Sequence, residues 1–112
     1  MSAGMPKVHR ATEALAIDLT FTPTKPIVLC CVKLHLSAVG GTPAENFTVT
    51  VDSATSALYD VVLFSQDMNA LSSLLWVPDQ PIPIVNNDEI DFAWANANTL
   101  DYGLEMIYRV EG

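Results

Sequence analysis

Leu15-Ala16-Ile17-Asp18-Leu19-Thr20-Phe21 places an apolar side chain at every second position. Successive side chains of an extended strand point to opposite faces, so this spacing buries one face and wets the other. The same alternation returns in Val32-Lys33-Leu34-His35-Leu36-Ser37 and in Phe47-Thr48-Val49-Thr50-Val51-Asp52. It returns again in Glu89-Ile90-Asp91-Phe92-Ala93-Trp94, and finally at Leu104, Met106, Tyr108 and Val110. No stretch sustains the 3.6-residue apolar period of a helix.

Between these segments lie turn residues: Pro23 and Pro26, Gly40-Gly41-Thr42-Pro43, Ser53 to Ala57, Asn86-Asn87-Asp88, and Asn96-Ala97-Asn98. A further strand reads over Leu58 to Ser65, where Tyr59, Val61 and Leu63 compete in phase with Val62 and Phe64. Gln66 to Ser72 is polar and reads as a turn or one helical turn. Leu74 to Val77 is a short strand stopped by Pro78, and Pro81 and Pro83 confine Ile82 to Val85 to an edge or an extended bridge. The fold class expected is all-β, an antiparallel β-sandwich of about eight strands. Jelly-roll order leads, and an immunoglobulin-like order is the alternative that periodicity does not separate from it.

The 112 residues suit one domain. Met1 to Thr12 has no apolar period and holds Lys7 and Arg10 without an acid, whereas all thirteen acids lie beyond it. Residues 1–12 are therefore expected to be a flexible or docking N-terminal arm, and residues 13–112 the sandwich domain. The formal charge of −8 repels phosphate backbones, so nucleic acid is not an expected partner. The longest apolar run, about Ile27 to Val32, is far short of the ~20 residues of a membrane helix, and no membrane partner is expected. No secretory signal is expected in the polar opening segment. That run is apolar on both faces, which requires either cover on both sides or a partner chain. Lys7, His9 and Arg10 in the arm, with Ile27 and Leu29 at the start of the run, are the expected partner-binding residues.

The chemistry expected is sparse. The sequence has no Gly-x-Ser-x-Gly elbow, phosphate loop or dinucleotide-binding glycine pattern. Cys30 and Cys31 are adjacent, a spacing that does not close a relaxed disulfide, and two cysteines alone do not make a zinc site. Pairing His35 with Cys31 for catalysis is far less economical than a surface histidine above a half-buried thiol. Asn86, Asn87, Asp88, Glu89 and Asp91 form the densest acidic cluster, with oxygens of the kind calcium takes, but a solvated turn that protects an edge strand is the plainer reading. Asp60, Asp67, Asp79 and Asp101 fall at turns or strand ends, where aspartate caps backbone amides. Trp76, Trp94, Tyr59, Tyr102 and Tyr108 could build a sugar platform, though Trp94 is in phase with the core and Trp76 lies among leucines. No catalytic residue, cofactor or metal is expected.

Several of these segments carry a resemblance. Val32-Lys33-Leu34-His35-Leu36-Ser37, Phe47 to Ser53, Tyr59-Asp60-Val61-Val62-Leu63, Ser65-Gln66-Asp67-Met68, Pro78-Asp79-Gln80-Pro81, Asp88 to Asn96 and Tyr102-Gly103-Leu104-Glu105 resemble small jelly-roll virion-associated proteins of tailed bacteriophages. The similarity runs over about residues 27 to 108 and excludes the arm. It implies a non-enzymatic head decoration or cement protein that binds the major capsid protein or another virion protein and forms homo-oligomers. Its place would be the virion, assembled in the host cytoplasm. The other function to weigh is a carbohydrate- or receptor-binding module of a phage tail or fibre.

Overall fold

The alternating segments pair into two antiparallel sheets that share one core. The computed structural model describes residues 6–111. The strands are β1 (Lys7–Glu13), β2 (Ile17–Phe21), β3 (Ile27–Leu36), β4 (Asn46–Asp52), β5 (Val61–Asp67), β6 (Ser73–Trp76), β7 (Ile82–Ile84), β8 (Glu89–Trp94) and β9 (Tyr102–Val110). Sheet A runs β1-β9-β3-β6, with β7 also paired to β3, and sheet B runs β2-β8-β4-β5. β6 pairs with Val32 to His35 and β7 with Ile27 to Leu29, so the two share one sheet position beside β3. Counted as one interrupted strand they leave eight, ordered 1-8-3-6 and 2-7-4-5, which is the jelly-roll order.

The inward phase is the one the alternation gives. Ile17, Val32, Leu34, Leu36, Phe47, Val49, Ile90, Phe92, Trp94, Leu104 and Met106 are buried in one cluster. Phe47 and Phe92 stack with ring centres 6.4 Å apart, at the centre of sheet B. Each such side chain removed from water contributes roughly 1.5–3 kcal/mol. Asn96 is the buried polar residue among those described, and both ends of its side-chain amide have partners. Its Nδ2 donates to the carbonyls of Leu15 and Leu100 at 2.9 and 3.0 Å, and its Oδ1 accepts from Leu100 N at 2.9 Å. Asn96 has φ of 49°, a left-handed conformation that asparagine tolerates better than most residues.

Four expectations are corrected. Lys7 to Thr12 do not form an arm: with Glu13 they make β1, paired along its length with Tyr102–Tyr108. The alternation there was masked because His9 stands where a core hydrophobe would, its ring 5.0 Å from Phe21. The part of the expected arm before Pro6 lies outside the described residues. The two-faced run at Ile27 needs neither second cover nor partner: a β-bulge at Cys30 shifts the register against β9 between Leu29 and Cys31. Odd-numbered Ile27 and Leu29 and even-numbered Val32, Leu34 and Leu36 thereby face the same core. A second shift, in the pairing of β4 with β5, leaves Leu63 unpaired and explains the competing phases there. The strand begins only at Val61, because Ala57–Tyr59 is a 3-10 turn capped by Ser56 and leaves Leu58 93% exposed. Leu15 likewise precedes β2 and is exposed.

Candidate functional site

The expected partner-binding residues separate into two groups. Ile27 and Leu29 are 2% and 0% exposed, so they belong to the core of their own chain, a consequence of the bulge beside them. Lys7, His9 and Arg10 lie together on β1, at the open edge of sheet A. Strand alternation divides them. Lys7 and His9 share the inner side with Tyr108 and Met106, their register partners, while Arg10 points outward with Glu105. Arg10 Nε lies 3.4 Å from Glu105 Oε2 in an exposed ion pair, of a kind that adds little stability. The Phe21 ring lies 5.0 Å from His9 and 5.1 Å from Tyr108, and the three close the edge of the sandwich. Beside them is a depression of about 420 Å³ with Lys7 and Lys25 on its wall and Phe21, Ile27 and Tyr108 among its apolar lining. Two ammonium groups over an apolar floor suit an acidic segment that also carries a hydrophobic side chain.

The outer face of sheet A continues this surface. Register places Val8, Ile107 and Cys31 in one cross-strand row, and Arg10, Glu105, Lys33 and Leu75 in the next. The third row is Thr12, Gly103, His35 and Ser73. Gly103 leaves the centre open, because a Cβ there would meet nothing within 4 Å. Val8 and Leu75 are 48% and 62% exposed. Burial raises the pKa of the Cys31 thiol, and the Cys30 and Glu105 charges add to that, while Lys33 opposes it. Lys33, Arg109 and Gly103 were not among the expected contact residues, although outward phase marks all three in the sequence.

Four of the acids serve the backbone, among them Asp60 and Asp67 of the four turn aspartates. Asp60 Oδ1 accepts from Ser53 N at 2.7 Å and Asp88 Oδ1 from Ala54 N at 3.0 Å. Asp67 accepts from Ala44 N and Asn69 N, and Glu45 from Ala97 N. Among the described residues, the acidic cluster that forms keeps Glu89 and Asp91 of the expected segment and takes its third carboxylate from another strand. It is Asp52, Glu89 and Asp91 on the outer face of sheet B, with carboxylate oxygens within 4.8 Å of one another. Asp52 pairs with Glu89 across the strands, a contact between β4 and β8 that no sequence spacing reveals. Three carboxylates supply about half the oxygens calcium takes, and Thr20 Oγ1 already donates to Asp91. The sugar platform is not assembled either: Tyr102 and Trp94 are buried, and Trp76 stacks on Phe64 at 5.1 Å.

The fold and surface define a β-sandwich with a cationic edge. Compared with known proteins, the chain matches no family model and no curated sequence.

Proposed function

We propose that the protein is a non-enzymatic structural component of a phage virion, a head decoration or cement protein. In this reading it binds the major capsid protein or another virion protein and oligomerises on the particle. The observation that carries the contact is the cationic edge: Lys7 and Arg10 on open strand β1, with Lys25 across the depression floored by Phe21 and Tyr108. The chain as a whole is strongly acidic, and an acidic partner is attracted here and repelled by the carboxylates on the outer face of sheet B. The strand edge adds unpaired backbone groups to which a partner strand can bond.

Co-sedimentation with undecorated shells of a phage that encodes the chain tests this reading. The wild type should pellet with the shells, and the double variant Lys7→Glu/Lys25→Glu should lose at least about tenfold in affinity, with an unchanged circular-dichroism spectrum. Failure of the wild type to pellet, or undiminished binding by the double variant, overturns it.

A further inference from the structure

Charge is segregated between the two sheets. The strands of sheet A hold Lys7, Arg10, Lys33 and Arg109 against Glu13 and Glu105, a net charge of +2. The strands of sheet B hold Asp18, Asp52, Asp67, Glu89 and Asp91 and no lysine, arginine or histidine, a net charge of −5. Pairing phase sends Arg10, Lys33 and Arg109 to the outer face of sheet A, and Asp18, Asp52, Glu89 and Asp91 to the outer face of sheet B.

We infer that these two faces are the halves of one contact, in which the outer face of sheet A docks on the outer face of sheet B in a second copy of this chain. Asp52, Glu89 and Asp91 repel one another within 4.8 Å, and an arriving ammonium or guanidinium group relieves that repulsion. The apolar parts also match. Val8, Leu75 and Ile107 on one face meet Val62, Ala93 and the threonine methyls of Thr20, Thr48 and Thr50 on the other. The strands of sheet B, five to seven residues long, limit the overlap: four strand positions at about 4.8 Å give a footprint on the order of 400 Å² per copy. The pair then buries about 800 Å², below the size of a standard specific interface, so the contact is weak, transient and concentration-dependent. Because its two halves are different surfaces, it propagates: copies form a ring if the rotation closes and a stack if it does not. The inference goes beyond the virion reading and does not depend on it, since Lys7, Lys25 and the backbone edge of β1 lie off both docking faces, Arg10 alone being common to the two contacts.

Salt gives the contact a signature. At a net charge of −8 the copies repel one another over their full separation, about 20 Å between stacked centres. A Debye length of about 10 Å at 0.1 M salt screens that repulsion more than it screens the touching pairs, whereas about 3 Å at 1 M weakens both. Sedimentation velocity should therefore show average mass rising with protein concentration at about 0.1 M salt and falling back at about 1 M. The variant Lys33→Glu/Arg109→Glu and the variant Asp18→Lys/Asp52→Lys should each remain monomeric. An equimolar mixture of the two should associate again, because the native acidic face of one meets the native basic face of the other. A wild type that stays monomeric at every concentration overturns the inference, as does self-association by either variant alone. A mixture that remains monomeric overturns it too. Shell binding through Lys7 and Lys25 is read in a separate assay, so loss of either property leaves the other measurable.

Discussion

Sheet A and sheet B meet in one core yet differ in what they show the solvent. Inside, both are apolar: sheet A buries Ile, Leu, Val and Met with Tyr102, and sheet B buries Ile, Val and Phe with Trp94. Outside, sheet A carries cations around an open glycine, and sheet B carries carboxylates on a threonine-rich ladder with no base. The sheets differ in structural exposure as well. The bulge of sheet A lies in β3, which has partners on both sides, whereas Leu63, unpaired in sheet B, lies on edge strand β5. Burial disciplines inner faces to one chemistry, while outer faces remain free to carry recognition.

The largest expected effect comes from β3, the strand with partners on both sides. Leu29→Asp puts a carboxylate at a fully buried position and should cost about 5 kcal/mol or more. That approaches the whole stability of a domain this size. Deleting Cys30 instead removes the one extra residue and leaves Ile27, Leu29, Val32, Leu34 and Leu36 in unbroken alternation, with Leu29 still opposite Tyr108 and Cys31 opposite Ile107. Urea unfolding followed by circular dichroism should find Leu29→Asp largely unfolded and the Cys30 deletion folded; an unfolded deletion variant would mean that the bulge itself shapes the sheet.

Phe92→Ala should rank next, at about 3–5 kcal/mol, because it empties the stack against Phe47. Asn96→Ala should cost about 2–4 kcal/mol. It strands the carbonyls of Leu15 and Leu100 and the Leu100 amide at the crossing from β8 to β9, and places alanine at positive φ. The smallest change should be stabilising: Asp52→Asn removes one of three crowded charges and should add a few tenths of a kcal/mol, read as a higher urea midpoint. On sheet A the matching probe is kinetic. Lys33 holds down a Cys31 thiol that burial raises, so Lys33→Glu in a Cys30→Ser background should slow alkylation of Cys31 by iodoacetamide at mildly alkaline pH. An unchanged rate would mean that Lys33 does not reach the thiol.

The strands that were legible are those with an unbroken period of two, namely β2, β4, β8 and β9, together with the second half of β3. Their neighbours stayed ambiguous for physical reasons that can be named. A bulge inserts one residue and flips the phase, so the segments around Cys30 and Leu63 read as two-faced or as noise. β1 was hidden because an edge strand needs fewer hydrophobes, and His9 packs on Phe21 where a leucine would have announced it. Of the docking edge, Lys7, His9 and Arg10 were visible as a basic segment, whereas Lys25 joins them only because the β2–β3 turn folds back beside β1.

Side-chain period and turn residues, both local properties, determined from the chain alone that it builds an all-β sandwich, and outward phase even marked which charges would be wet. Which strands lie side by side is a long-range matter, decided by closing loops and filling one core. Only that decision brought Asp52 against Glu89 and gathered the cations on one sheet and the acids on the other.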